Sequence, residues 1–275
     1  MRDIRQTPQY ANYLKKIGWI VERPAEINYF IKKVPVLGSV IKVQRPEEIR
    51  ISKIRELAKK YRAFQIIIEP KTVLDAKFLT SVGFRLSKSP YLPTKTLQID
   101  LTRSKEKIFK SFKKDARYAL KKTESLGIGE IKSIEDFRSA WKNSVGLKRY
   151  VPPLSHLISL KQSFKSACVY LVYFDDSNHR SEIIGGSIFL QADGIAYYWQ
   201  AFTNKRGRET LAQYSIVWEG ILWAKGRGAK VFDFEGIYDE RFPNKSWQGF
   251  THFKKSFRGY EVIYSGCFVK SRLPL

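Results

Sequence analysis

Asp233 and Glu235 stand two positions apart in the run Phe232-Asp-Phe-Glu-Gly-Ile237. If Val231–Glu235 is a strand, its period of two puts both carboxylates on one face and Phe232 and Phe234 on the other. Such a pair offers a general base or an anchor for a substrate amine. Open α/β sheets place their ligands at strand ends of this kind. The plainer reading is a strand-end pair that holds a loop or an arginine. Other chemistries lack their residues. His156, His179 and His252 are the three histidines, and none stands in an HExxH pattern or at comparable metal spacing. No Gly-x-Ser-x-Gly elbow and no Walker loop is present. Cys168 and Cys267 lie 99 positions apart, without a neighbouring Cys or His at zinc spacing. They read as buried thiols. Neither a metal nor a cofactor is expected.

The charge points to the partner. The 275 residues carry 50 Lys plus Arg against 26 Asp plus Glu, a net charge of +24. Residues 1–98 and 99–275 each carry +12, so the excess is spread through folded sequence. It is densest from Arg103 to Lys122, where nine basic residues face only Glu106 and Asp115. A polyanion is the natural partner: nucleic acid, anionic lipid or a phosphorylated substrate. An apolar fraction of 43% with 14% aromatics excludes a disordered chain. The longest purely aliphatic stretch, Ile66–Ile68, is far too short to span a membrane. The opening residues have no signal-peptide h-region, so a cytoplasmic protein is expected. Peripheral contact with the anionic inner face of the membrane is a further expectation.

These residues need elements to position them. In the second half a basic helix is expected over about 104–126, with Ile108, Phe112, Ala116, Ala119 and Leu120 on one face. A strand at 128–131 follows. Ser133-Ile-Glu-Asp136 has capping-box form and opens a helix to about 143. Pro152-Pro153 precedes another helix to about 165. Strands are expected at Cys168–Phe174, Ile183–Gln191 and Ile195–Phe202. The loop Asp175–Arg180 joins the first two, and an Asp193-Gly194 hairpin joins the last two. A helix over 209–225 presents Leu211, Ser215, Trp218 and Leu222 as a stripe. The strand Val231–Glu235, a helix over 249–257 and a strand over 260–269 complete the half.

The first half repeats the order. Helices are expected at 7–17, 47–61 and 72–81. Strands are expected near 19–23, 27–33, 39–43, 64–68, 83–88 and 96–101. Three antiparallel strands, a crossover helix and a further strand are the winding of GCN5-related N-acyltransferase (GNAT) folds. The fold class is therefore α/β (α+β): two tandem GNAT-like domains, each a mixed, mostly antiparallel sheet flanked by helices. The division is 1–98 for an abbreviated first domain and 99–275 for the domain with the main site. A CoA-dependent member would need a glycine-rich phosphate cradle at the start of its central helix. Arg206-Gly-Arg-Glu-Thr-Leu211 puts Glu209 and Leu211 where glycines belong, which opposes CoA as donor.

Three blocks resemble one family. Thr96-Leu-Gln-Ile-Asp-Leu101 leads to Phe112-Lys-Lys-Asp-Ala-Arg-Tyr118 and on to Leu126-Gly127. Phe232–Ile237 is the second block. Gly249-Phe-Thr-His-Phe-Lys254 with Phe257-Arg-Gly259 is the third. Together with the opening Gln6–Trp19 they resemble the FemABX peptidoglycan-bridge aminoacyltransferases, here as a short form without the coiled-coil arm. In the family's pattern glycines stand where this chain has Glu235 and Arg258.

The resemblance implies transfer of an amino acid from aminoacyl-tRNA to an amine of a nucleotide- or lipid-linked peptidoglycan precursor peptide. Both substrates are polyanions. No cofactor and no protein partner is implied. By position, Lys254 is implied to bind acceptor phosphate or to stabilise charge during transfer; without the resemblance it reads as an exposed helix lysine. Asp233 and Glu235 join it as catalytic candidates. Arg117, Trp247, Phe253, Tyr238 and Arg241 are the substrate-binding candidates. Arg117 otherwise reads as a surface partner of Glu124 or Asp115. Trp199, Trp218, Trp223, Tyr197 and Tyr198 read as core. The alternatives are a CoA-dependent GNAT-type N-acyltransferase and an RNA-binding module without catalysis.

Overall fold

The computed structural model describes residues 1–123, 127–146, 149–175 and 182–271. Glu124, Leu126, His179 and the Asp175–Arg180 loop beyond Asp175 lie outside the described residues. In chain order the first elements are α1 (Pro8–Lys16), β1 (Ile20–Glu22), β2 (Tyr29–Val34) and β3 (Gly38–Gln44). Then come α2 (Ile51–Lys60), β4 (Ala63–Glu69), α3 (Val73–Ser81) and β5 (Arg85–Leu86). The chain continues with β6 (Lys95–Asp100), α4 (Lys105–Ser111), α5 (Lys114–Lys122), β7 (Ile128–Glu130), α6 (Ile134–Val145) and α7 (Leu154–Phe164). Next are β8 (Cys168–Asp175), β9 (Glu182–Ala192), β10 (Ile195–Thr203), α8 (Lys205–Glu209), α9 (Ala212–Gly226) and β11 (Val231–Asp233). The last are α10 (Gln248–Ser256), β12 (Tyr260–Ile263) and β13 (Phe268–Ser271).

Two mixed sheets result, ordered β1-β2-β3-β4-β13-β5 and β12-β6-β11-β10-β9-β8-β7. Each contains the expected winding. In the first, β1, β2 and β3 are antiparallel, α2 crosses over, and β4 runs parallel to β3. In the second, β8, β9 and β10 are antiparallel, α9 crosses over, and β11 runs parallel to β10. The tandem, mostly antiparallel arrangement is that of the expected fold class.

The chain divides into two compact units that are not contiguous halves. One comprises Met1–Thr96, Tyr238–Lys245 and Val262–Leu275; the other comprises Leu97–Ile237 and Ser246–Glu261. A division at residue 98 misses both returns of the chain. The strand expected over 260–269 is accordingly two strands in different sheets. β13 fills the place between β4 and β5, pairing Phe268 with both Ile68 and Leu86. It gives the apolar strand β4 a partner on its second edge, which would otherwise be open.

In the first unit, Ile54, Leu57 and Ala58 of α2 pack with Ile31, Ile41, Ile68 and Phe268. In the second, Ile108, Phe112, Ala116 and Leu120 pack with Phe189, Ile216, Phe232 and Phe257. The long basic helix is broken. Phe112 adopts extended backbone between α4 and α5, which sends its ring into this core. The break is satisfied locally. Arg117 donates to the carbonyls of Lys110 at 3.2 Å and Phe112 at 2.5 Å, and the Lys113 N–H donates to the Ser256 carbonyl.

Helix α9 also differs from its expected form. The chain from 205 to 226 is two helices, separated by Leu211 in left-handed conformation (φ 59°). The buried face is Ala212, Ser215, Ile216, Val217, Gly220, Ile221 and Ala224, while Trp218 and Leu222 are half-buried. Gly220 allows α9 to lie close on β9: a Cβ there would come 2.3 Å from the fully buried Phe189 ring. The expected hairpin is present, with Asp193 and Gly194 both at positive φ (47° and 79°). The Ser133 hydroxyl caps α6 by accepting the Asp136 N–H at 3.1 Å. No helix of the described residues is long and apolar enough to cross a membrane.

Gly220→Ala is expected to destabilise the protein by about 1–3 kcal/mol through overpacking against Phe189. Urea unfolding should show a lowered midpoint with an unchanged slope.

Candidate active site

The site of the second unit begins where β10 and β11 part. The two strands pair in parallel only from Ile195 with Val231 to Tyr197 with Asp233. β11 ends there, while β10 continues to Thr203 with a bulge between Tyr198 and Gln200. Asp233 thus stands at the carboxyl end of a strand, at the mouth of a fork, which is where such sheets hold ligands. Among the described residues no three His, Cys, Asp or Glu side chains come together as a metal site.

Asp233 and Glu235 do not share a strand face. The strand stops at Asp233, and Glu235 turns into left-handed backbone (φ 53°), followed by Gly236 at φ 114°. The turn forms because the Asp233 carboxylate accepts the Glu235 N–H at 2.7 Å, the local side-chain-to-backbone bond that favours turns over strand. The other Asp233 oxygen accepts from Gln98 Nε2 on β6 at 2.7 Å. Buried Asp233 therefore holds the loop, as the plainer reading had it, and Glu235 is half-buried on that loop.

Lys254 is the other half of the arrangement, and it is not an exposed helix lysine. It is 8% exposed, on the inward face of α10 with Thr251. Its Nζ donates to the carbonyls of Phe234 at 2.7 Å and Gly236 at 2.6 Å. The Phe250 ring centroid lies 4.8 Å from the ammonium and the Tyr198 ring 5.6 Å. Charge-assisted bonds to two carbonyls and two aromatic rings offset part of the cost of burial. Burial still pushes the ammonium down to about 8, against the pull of the Glu235 and Asp233 carboxylates.

The other expected site residues separate into groups. Trp247 is half-buried, with its ring 5.2 Å from Phe250, so it adjoins the Lys254 environment. Phe253 packs against Tyr214 at 4.8 Å and Phe257 at 5.4 Å and belongs to an aromatic cluster. Arg117 braces the α4–α5 break described above; Asp115 is not its partner. Tyr238 and Arg241 fall in the first unit, not in the unit of Lys254. There Arg241 pairs with Asp239 at 2.7 Å and donates to the carbonyls of Thr94 and Tyr264. Sequence reading missed Gln98, Phe250 and the position of Tyr198 in the site. Burial raises Tyr198 strongly, and its hydroxyl accepts from Gln213 Nε2 at 2.8 Å. Gln98 and Phe250 lie inside the quoted sequence blocks, so the signal was there without a role attached.

The place of a CoA cradle is filled differently. Before α9 the chain forms the short helix α8, in which the Asn204 side chain accepts the Gly207 N–H at 2.8 Å. Gly207 packs so closely on the sheet that a Cβ would come 2.2 Å from the Ile184 carbonyl oxygen. This glycine serves packing against β9.

Comparison with known proteins places this geometry. The model of the FemAB family matches residues 153–275, which include β11, the Asp233–Gly236 turn and Lys254. The resemblance to FemABX proteins holds over the stretch that builds the site. No curated protein matches the chain in sequence. Among solved structures, the crystal structure of FemX matches with a TM-score of 0.80 at 15% identity, covering 98% of this chain and 92% of that one. L-PGS from Bacillus licheniformis matches at 0.65 and 13% identity, over 94% and 86% of the two chains. A tandem GNAT protein from the clavulanic acid biosynthesis pathway matches at 0.51 and 10% identity, over 99% and 97%. At these identities the likeness is one of fold, and it is a likeness to tandem GNAT-like architecture.

The FemAB stretch carries a test of Lys254. The folded protein releases this proton near pH 8, while an unconstrained lysine keeps it to 10.5. Between those values the unfolded chain binds more protons, so this group's contribution to stability rises with pH across that window. Denaturant unfolding at pH 7.5, 9 and 10 should show wild type gaining stability relative to Lys254→Met. A constant difference between the two proteins would mean that Lys254 titrates normally.

Proposed function

We propose that the protein is an aminoacyltransferase that moves an amino acid from aminoacyl-tRNA to an amine of a peptidoglycan precursor peptide, as in interpeptide bridge formation. The observation that carries this reading is the FemAB match over the stretch that places a buried cation at the strand fork. The charge of +24 suits two polyanionic substrates, an RNA donor and a nucleotide- or lipid-diphosphate acceptor. The helical turn before α9 offers no glycine-rich cradle and so disfavours a CoA donor.

In this reading the precursor amine attacks the ester carbonyl of the aminoacyl-tRNA. A tetrahedral intermediate forms, its oxygen negative. It collapses by breaking the acyl C–O bond, and the ribose oxygen of the terminal nucleoside leaves and takes up a proton to become a hydroxyl. The attacking amine loses one proton on forming the amide. Lys254 supplies a fixed positive charge at the fork, for the developing oxyanion or for acceptor phosphate. Glu235, half-buried on the turn, is the proposed proton acceptor, and Asp233 is a positioning residue that sets the turn. An aminoacyl ester is already activated, so holding amine and ester together supplies much of the rate.

The test is transfer of radiolabel from charged bacterial tRNAs to nucleotide-linked and lipid-linked muropeptide precursors. Label in a precursor is expected, and single-turnover transfer by Lys254→Ala should fall about 100-fold or more. Unchanged transfer in that variant would remove Lys254 from the chemistry. Salt-sensitive tRNA binding that ignores charging, with no transfer to either precursor, would support an RNA-binding module instead.

A further inference from the structure

The densest charge in the chain lies on α4 and α5. The apolar residues of these helices, Ile108, Phe112, Ala116, Ala119 and Leu120, are all buried. What remains exposed is six lysines and Tyr118, with Glu106 and Asp115 as the two carboxylates. Lys105, Lys107, Lys110, Lys114, Lys121 and Lys122 are exposed, and none makes an ion pair with a described carboxylate. On α5 the positions 114, 118, 121 and 122 fall on one helical stripe, and Tyr118 in its middle is 61% exposed. The face is basic and carries a single exposed ring. An amphipathic membrane helix would instead offer an apolar face for insertion.

The stripe leads to a cavity of about 420 Å³ between these helices and α9. Lys105 and Lys121 line it, together with Trp218, Glu219 and the hydrogen-bonded hydroxyls of Thr123 and Ser215. Trp218, expected in the core, is half-buried here, with the Lys105 ammonium 5.9 Å from its ring. An aromatic plane, two cations, a carboxylate and a hydroxyl pair form a set that suits one nucleotide. In such a site the ring would stack on a base, the lysines would take the flanking phosphates, and Glu219 would accept from an exocyclic amine. The cavity also connects to the site by packed rings. Trp218 lies 5.5 Å from Phe112, which lies 5.2 Å from Phe257, three residues past Lys254.

We infer that the α4–α5 stripe and the Trp218 cavity are a docking surface for single-stranded RNA, with phosphates on Lys105, Lys114, Lys121 and Lys122 and one unstacked base in the cavity. This rests on the proposed RNA donor and assigns the surface that receives it. The experiment is titration of the full chain with unacylated bacterial tRNA over a salt series, beside vesicles of phosphatidylglycerol and phosphatidylcholine.

Lys114→Ala/Lys121→Ala/Lys122→Ala should weaken tRNA binding about tenfold or more at low salt. It should also flatten the plot of log K against log salt by about two to three units. Trp218→Ala should weaken binding about tenfold without changing that slope, because stacking releases no counterions. The triple variant alters only exposed side chains, so it remains informative if Trp218→Ala fails to fold. Wild-type tRNA binding that the triple variant retains, slope included, overturns the inference and leaves the donor reading standing. No wild-type binding of tRNA overturns both. Vesicle binding lost in the triple variant, with tRNA binding retained, makes the surface a membrane dock and overturns the inference.

Discussion

An ammonium ion buried between two backbone carbonyls and two aromatic rings is the constraint on which the site of the second unit depends. Lys254 closes the turn after β11 by donating to Phe234 and Gly236, the residues on either side of Glu235. Asp233 closes the same turn from the strand side by accepting the Glu235 N–H. A carboxylate and a cation thus hold one three-residue segment, and each is buried. Desolvation of the cation is only partly offset, which is why its proton is held less tightly than in water. A lysine held at such expense for structure alone would be a poor solution, since a neutral residue could fill the space. A charge kept at the mouth of a strand fork has a further use when a substrate brings negative charge to it.

Two positions where the FemABX pattern has glycine carry other residues here. Glu235 and Arg258 both adopt left-handed backbone, with φ of 53° and 60°. In each case the next residue is a glycine at positive φ, Gly236 or Gly259. The backbone keeps the path that glycine would favour and accepts roughly 1 kcal/mol or more of strain at each substituted position. At Glu235 the substitution adds a carboxylate to the turn that Lys254 clamps.

Much of the fold was legible because its signals were local. Asp193-Gly194, the Ser133 cap and the repeated order of three antiparallel strands, a helix and a strand all rest on turn chemistry and periodicity. The errors came where long-range packing decides. Phe112 breaks a helix of good amphipathic pattern because its ring is taken by the core, and Arg117 and the Ser256 carbonyl satisfy the exposed backbone. β13 leaves the sheet of its sequence neighbours to fill the gap between β4 and β5, which no local signal encodes. In the site, Lys254 was found by resemblance and its burial was not foreseen, because an amphipathic helix lysine reads as exposed. Tyr238 and Arg241 were grouped with it by closeness in sequence, whereas the chain passes to the other unit at Tyr238.

Lys254 is a buried cation, and the proposed reaction has it meet substrate. Its side-chain nitrogen can be observed directly by NMR in protein labelled with 15N-lysine, with Lys254→Arg identifying the signal. One lysine is expected to titrate near pH 8, with a signal that moves when nucleotide-linked precursor is added, while the surface lysines of α2 stay in place. A Lys254 signal that titrates near 10.5, or that ignores the precursor, would contradict it.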